Sequence, residues 1–331
     1  MKMRKLKDLS VSEIGMGCMA FSHGYGKIPE ESYSIEAIRQ AVDYGCNFFD
    51  TAEVYGPELK AEYRGHNEKI LGKALEGRRA EVVIATKLHI ATEEPENDGS
   101  VYETLKKHLA ASLKNLRTDY VDLYYLHRVN VKVPVEDVAD GMGKLIREGL
   151  IKGWGMSMVN VELMERVQKI TPLTAVQNIY SMMDRVYEEK VIPYCEKNNI
   201  GFVAFSPIAS GFLSGKVKSS AQFEKVDDVR NWVPQLKAEN IDANKPLLDL
   251  LEEIATAKNC TKAQLSLAWM LKKYNFVVPI PGSRNKNHIM ENFKASEVTL
   301  TDEEFATLEE RLNAVKIYGQ RQDINLPSEF F

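Results

Sequence analysis

The sequence predicts an α/β chain: a (β/α)8 TIM barrel with a short N-terminal hairpin and a long loop after the seventh strand. Three observations predict it. Eight short apolar runs begin at residues 14, 47, 82, 121, 151, 175, 201 and 276. Stretches of helical, 3.6-residue periodicity separate them. The runs are continuously apolar rather than alternating, as in parallel strands covered on both faces. The length of 331 residues holds such units with a large core. No linker-like stretch divides the chain, so residues 1–331 read as a single barrel domain.

Lys2–Leu6 and Val11–Ile14 read as a hairpin around Asp8, and Ile14–Cys18 as the first barrel strand. Gly15-x-Gly17-x-x-Ala20 matches a dinucleotide-binding glycine fingerprint, but that motif must open directly into a helix. Here 21–29 (FSHGYGKIP) is loop-like, and the first helix is expected over Glu31–Tyr44, stopped by Gly45. Strand Asn47–Asp50 and helix Asn67–Leu75 follow, then strand Val82–Lys87. Helix Val101–Leu116 opens with a Ser100-x-x-Glu103 capping box. Strand Val121–His127, helix Val135–Arg147, strand Ile151–Ser157 and helix Val161–Ile170 continue the alternation. Strand Ala175–Tyr180, helix Glu188–Asn198 and strand Gly201–Ser206 come next. Residues 210–244 are too many for an ordinary strand-to-helix connection and predict a functional loop. Helices Lys245–Lys258 and Lys262–Tyr274, strand Phe276–Pro281, and helices Lys286–Phe293 and Asp302–Val315 complete the pattern. Residues after Tyr318 read as a tail.

Composition excludes several classes. The net charge is −4 and hydrophobic residues make up 44%, which gives no footprint for nucleic acid or membrane. Cys18, Cys46, Cys195 and Cys260 are scattered without a CxxC pair, arguing against disulfides and a zinc site. The start MKMRKLKDLS lacks an apolar signal region, and no run approaches the ~20 residues of a membrane span. A cytoplasmic protein is expected. The six histidines form no HExxH, so no metal is expected.

In such a barrel the chemistry sits at the C-terminal ends of the strands. Asp50 ends the second strand, Tyr55 lies in the loop beyond it, Lys87 ends the third and His127 the fourth. Singly, each has an ordinary explanation: a turn cap, a packing tyrosine, a solvated charge, a satisfied core histidine. Together, at three successive strand ends, they read as a device for moving a proton to a carbonyl oxygen. Tyrosine has an ordinary pKa of about 10, and a nearby ammonium lowers it. Asp50 would hold Lys87 charged, and His127 would polarise the carbonyl. Such an acid needs a hydride source, which implies a nicotinamide cofactor.

From residue 2 to 315 the sequence resembles the aldo-keto reductases. The resemblance rests on GMGC (Gly15–Cys18), DTAEVYG (Asp50–Gly56), NEKILGKAL (Asn67–Leu75), TK (Thr86–Lys87), DLYYLHR (Asp122–Arg128) and GLIKGWGMS (Gly149–Ser157). FSPIASGFLSGK (Phe205–Lys216) and IPGSRNKNHIMEN (Ile280–Asn292) extend it. The segment Asp227–Asn240 is similar to one in the bacterial-type, sugar-reductase-like and potassium-channel β-subunit-like branches. The resemblance implies a catalytic tetrad at Asp50, Tyr55, Lys87 and His127, and NADP(H) extended across the barrel mouth. It places Ser157 and Gln177 at the nicotinamide carboxamide, though Met158 stands where many relatives carry asparagine. Phe205 would stack on the ring. Ser206, Pro207, Ile208, Ser210, Gly211, Leu213 and Lys216 match the diphosphate loop. Gly17, Cys18 and Met19 belong to the same implied groove. Gly282, Ser283 and Arg284 form an anion site, with Arg284 suited to a 2′-phosphate. His288, Glu291 and Asn292 match the adenosine end.

For substrate the candidates are His23, Tyr25 and Trp232, and a small aldehyde, ketone or sugar fits alike. The expected function is NADPH-dependent carbonyl reduction. The alternative is a redox-sensing subunit that binds NADP(H) with slow or no turnover. Oligomeric state leaves no trace in the sequence.

Overall fold

The computed structural model describes residues 1–94, 97 and 99–321. Of the tail expected after Tyr318, residues 322–331 lie outside the described residues. The chain opens with β1 (Met3–Leu6) and β2 (Leu9–Ser12), paired antiparallel with Leu6 opposite Leu9. Lys7 turns the pair with φ 54°. The barrel strands are β3 (Met16–Gly17), β4 (Phe48–Asp50), β5 (Val83–Leu88) and β6 (Val121–Leu126). They continue as β7 (Ile151–Ser157), β8 (Ala175–Ile179), β9 (Gly201–Phe205) and β10 (Val277–Pro279).

These eight strands are parallel and hydrogen-bonded in sequence order from β3 to β10. The first and last meet through a bridge from Gly17 to Gly282, and the Gly15 N–H donates to Pro279 O at 2.9 Å. Gly17 is required there. A Cβ on it would lie 2.9 Å from Ile280 O, inside contact distance with backbone that cannot yield. The expected (β/α)8 barrel is therefore what the chain forms.

Its inside is a compact set of side chains: Phe48, Ala85, Leu123, Tyr125, Ala175, Val203, Val278 and Ile280. Leu6 and Val11 of the hairpin join this set, so the hairpin plugs the N-terminal end of the barrel. The helices pack around the outside, where a larger cluster includes Ile38, Leu71, Leu105, Leu109, Leu145 and Trp154. The other end, where the strands finish, is the one at which a barrel's site is expected.

Three elements differ from expectation. The first strand pairs only over Met16–Gly17 rather than Ile14–Cys18, and Met19–Phe21 continue as one 3-10 turn. The glycine fingerprint therefore opens no α-helix, and the first one runs from Glu31 to Asp43. The helix expected from Glu188 begins at Val191, after a 3-10 turn at Val186–Glu188. Pro193 explains the shift, because proline is accommodated in a first turn, where its missing N–H has no partner to lose. The long loop is largely structured, with short 3-10 turns and a helix at Ala238–Ala243. Turns of three or four residues carry no periodicity to read.

Candidate active site

The site is assembled at the C-terminal ends of adjacent strands. Asp50, the last residue of β4, pairs with Ala85, and Lys87 near the end of β5 pairs with Tyr125. This register sets two alternating inward positions side by side. The Lys87 ammonium is wholly buried and meets Asp50 Oδ1 at 2.5 Å. It also donates to Thr51 O at 2.8 Å and to Tyr55 Oη at 3.3 Å. His127 follows β6, its main-chain N–H donating to Leu88 O, and its ring meets that of Tyr55 edge-on at 5.7 Å. The tetrad residues named from sequence thus share one buried cluster.

The loop that carries Tyr55 is held from several sides. Asn67 accepts from Thr51 Oγ1 at 2.6 Å and donates to Cys18 O and Ser22 Oγ. Glu53, buried two residues before Tyr55, accepts the His89 N–H at 2.9 Å and bonds His108 Nδ1 at 2.7 Å. Glu94 meets the other ring nitrogen of His108 at 3.0 Å. This cluster links the Tyr55 loop to the segment after β5. Burial works against the His108 imidazolium, but Glu53 and Glu94 more than offset it and raise its pKa. Nothing local in the sequence signals the arrangement, because His108 lies on a helix 55 residues from Glu53.

Burial dominates the electrostatics. It pushes the Tyr55 phenol above its ordinary pKa; Lys87 pulls it down without prevailing, and Asp50 works against Lys87. From sequence, Lys87 is expected to lower the phenol. The pull exists, but enclosure outweighs it. Burial also opposes the Lys87 charge, yet Asp50 and Tyr55 together raise that ammonium above its ordinary value. Burial lifts the Asp50 carboxyl, moderated by Lys87 and by Gln177. Burial, with Arg128 and Lys87 nearby, depresses His127 well below the ordinary histidine range. At neutral pH the cluster therefore holds a neutral phenol, a neutral imidazole and a Lys87 ammonium against Asp50.

Around it lie the residues expected to hold a cofactor. Gln177 donates from Nε2 to Asp50 Oδ2 at 2.7 Å, an anchoring role for the tetrad that sequence reading missed. Ser157 accepts from Arg128 Nη1 at 3.0 Å. Burial pulls the Arg128 guanidinium down to about 10, against Tyr55 and Tyr187. Met158 has φ 55°, the left-handed region in which asparagine is comfortable and methionine strained. Phe205 is half-buried, and Pro207 is buried beyond it. Ser206, Ala209, Ser210 and Gly211 all have positive φ, coiling the loop tightly through Ile208 to Leu213.

Cys18 is buried with its N–H bonded to Asp50 O, so its side chain belongs to the core, whereas Met19 beside it is half-buried. Lys216 Nζ meets His288 Nε2 at 2.8 Å, and Glu291 accepts from Thr261 at 2.8 Å. Asn292 is buried. Arg284 donates to Lys27 O, bridging from beyond β10 to the first loop, and the Ser283 hydroxyl accepts from the Asn285 N–H. Of the substrate candidates, His23 is buried against Asp227 and Tyr25 forms a backbone bridge to Asp228. These contacts draw the long loop across the first one. Trp232, on that loop, is 58% exposed.

The profile of the Aldo/keto reductase family matches residues 13–313. The chain belongs to that family. It is 35% identical over 95% of its length to a probable aldo-keto reductase 1 from Glycine max, covering 89% of that protein. It is 33% identical to aldo-keto reductase yakc (NADP(+)) from Schizosaccharomyces pombe, over 99% of this chain and 96% of the other. Among solved structures, the glycerol dehydrogenase of Gluconobacter oxydans superposes with a TM-score of 0.81, at 27% identity over 95% of each chain. An aldo-keto reductase of Klebsiella pneumoniae in complex with NADPH superposes with a TM-score of 0.71, at 25% identity over 97% of each. Like other aldo-keto reductases it is an oxidoreductase acting on carbonyl and alcohol groups. No helix among the described residues is long and apolar enough to cross a membrane.

Proposed function

We propose that this aldo-keto reductase is an NADPH-dependent carbonyl reductase of small aldehydes, ketones or sugars, built as one barrel domain. The observation that supports this best is the buried contact of Lys87 with both Asp50 and Tyr55, beside a neutral His127. Relatives named for NADP(+) or solved with NADPH support the choice of cofactor.

The chain's own residues fit such a cofactor. On this reading the loop with positive φ at Ser206, Ala209, Ser210 and Gly211 would offer its backbone to the anion, and Ser210, Lys216, Ser283 and Arg284 would supply donors. On this reading Ser157 and Gln177 would meet the carboxamide and Phe205 the ring. When bound, the reduced nicotinamide supplies the hydride. Tyr55 then gives its Oη proton to the carbonyl oxygen as the alcohol forms. Its high pKa keeps that proton in place before reaction. Lys87, held charged by Asp50, steadies the phenolate left behind. His127, neutral, donates a hydrogen bond to the same oxygen and sets its angle.

The test is loss of NADPH absorbance, with NADH alongside, against a panel of aldehydes, ketones and sugars. Tyr55→Phe is expected to lower kcat/KM by at least ~10²-fold while leaving NADPH affinity unchanged. Tight NADPH binding with no turnover of any carbonyl, or full activity in Tyr55→Phe, overturns the assignment.

A further inference from the structure

The chain's last described residues do not trail into solvent. Tyr318 donates its N–H to Asn244 Oδ1 at 2.9 Å, and Asn244 Nδ2 returns a bond to Tyr318 O at 3.0 Å. Gly319 then turns with φ 73°, so close to the long loop that a Cβ would sit 2.7 Å from Pro234 O. The turn sends Arg321 inward over the barrel mouth. Its Nη2 donates to Ser210 Oγ at 2.8 Å. Its Nε is shut off from solvent and has no hydrogen-bond partner among the described residues.

The surroundings come from separate strand ends: Tyr25 from the first loop, Asp184 after β8, and Ser210 after β9. Asp184 faces Arg321 by charge. Its carboxylate accepts from Gln235 Nε2 at Oδ1 (2.8 Å), from Ser181 Oγ at Oδ2 (3.2 Å) and from the main-chain N–H of Arg321. Arg321 thus meets Asp184 by a main-chain hydrogen bond and by charge, while the side-chain bond it makes among the described residues goes to Ser210. A guanidinium with one N–H on a neutral hydroxyl and another buried and unused is built to receive an oxyanion bidentately. A buried donor with no partner is costly unless a ligand satisfies it.

We propose that Arg321 is a cofactor-binding residue that the C-terminal segment delivers to the diphosphate of NADP(H), clamping it against the Ser210 loop. The inference rests on the NADPH reading above and adds to it a cation that no strand-end loop supplies. Gly319–Arg321, the last described residues, thereby become part of the binding site.

The experiment uses the full chain as wild type, Arg321→Ala and Arg321→Lys. Titrations measure the Kd of NADPH, of 2′-phospho-ADP-ribose and of adenosine 2′-monophosphate. The first two carry the diphosphate and the third does not. In Arg321→Ala the first two are expected to weaken by about 10- to 100-fold, the third by less than about 2-fold. Arg321→Lys is expected to recover part of the loss, since it keeps charge and loses the fork. Raising salt is expected to weaken NADPH binding more in wild type than in Arg321→Ala. Unchanged NADPH affinity in Arg321→Ala overturns the proposal while leaving the reductase reading intact. Equal weakening of all three ligands assigns Arg321 a structural role and also overturns it. A wild-type protein that binds no NADPH removes both readings.

Discussion

Asp50→Asn tests the electrostatics of the site most directly. Asparagine keeps the shape and removes the charge. Lys87 Nζ would retain Thr51 O at 2.8 Å and Tyr55 Oη at 3.3 Å, but lose its ionic partner at 2.5 Å. Breaking a buried ion pair on one side costs about 3–5 kcal/mol. Unfolding entropy near 2.1 cal/mol/K per residue, over 331 residues, comes to roughly 0.7 kcal/mol/K. The Tm at pH 7 is therefore expected to fall by about 4–7 °C. The pH dependence has a definite sign. Burial is the largest influence on Lys87 and lowers its pKa, with Asp50 the first influence opposing it. Without Asp50 the folded-state value drops below the unfolded value of about 10.4. The folded variant then binds fewer protons than its unfolded chain, so its stability rises with pH towards that value. In wild type the shift is upward, so the Lys87 contribution persists until pH passes the unfolded value. Thermal melts of both proteins from pH 7 to 10 should show the variant's deficit narrowing. A Tm within about 2 °C of wild type at pH 7, or a deficit that widens as pH rises, would refute the reasoning.

Two further outcomes are expected. His108 sits between Glu53 and Glu94 with a raised pKa, so its stabilisation is full below the unfolded value of about 6.5 and is lost as pH rises through the folded one. The melting temperature of wild type should fall between pH 6 and 9 by an amount reflecting about 1–3 kcal/mol, and His108→Gln should flatten that slope; equal slopes would exclude the linkage. Arg284→Ala should reduce kcat/KM for NADPH by about tenfold and leave NADH within about 2-fold, since only the 2′-phosphate needs the guanidinium; steady-state comparison of the two cofactors decides it.

Much of the architecture was legible because strand and helix are local properties. The spacing of the apolar runs, the capping boxes at Thr261 and Thr301, and the stops at Gly45 and Gly149 all lie within a few residues of what they specify. Asp50, Lys87 and His127 were readable for the same reason, as the polar residues that end apolar strands. The short first strand and the turns of the long loop were not, because each is settled by packing or by too few residues to show a period; the late helix start at Val191 is marked locally by Pro193, which periodicity alone does not read.

The sequence by itself determined the order of elements and which polar side chains stand at the barrel mouth. The tertiary structure decided what those side chains do to one another. Gln177 reaches Asp50 across 127 residues and Arg321 reaches Ser210 across 111. Neither contact has a local signature. The direction of the Tyr55 pKa also belongs to the folded state. It is a balance between enclosure, which only the closed barrel creates, and the charges of Lys87 and Asp50 brought beside it. Charge order is written along the chain, whereas desolvation is a property of the space the chain encloses.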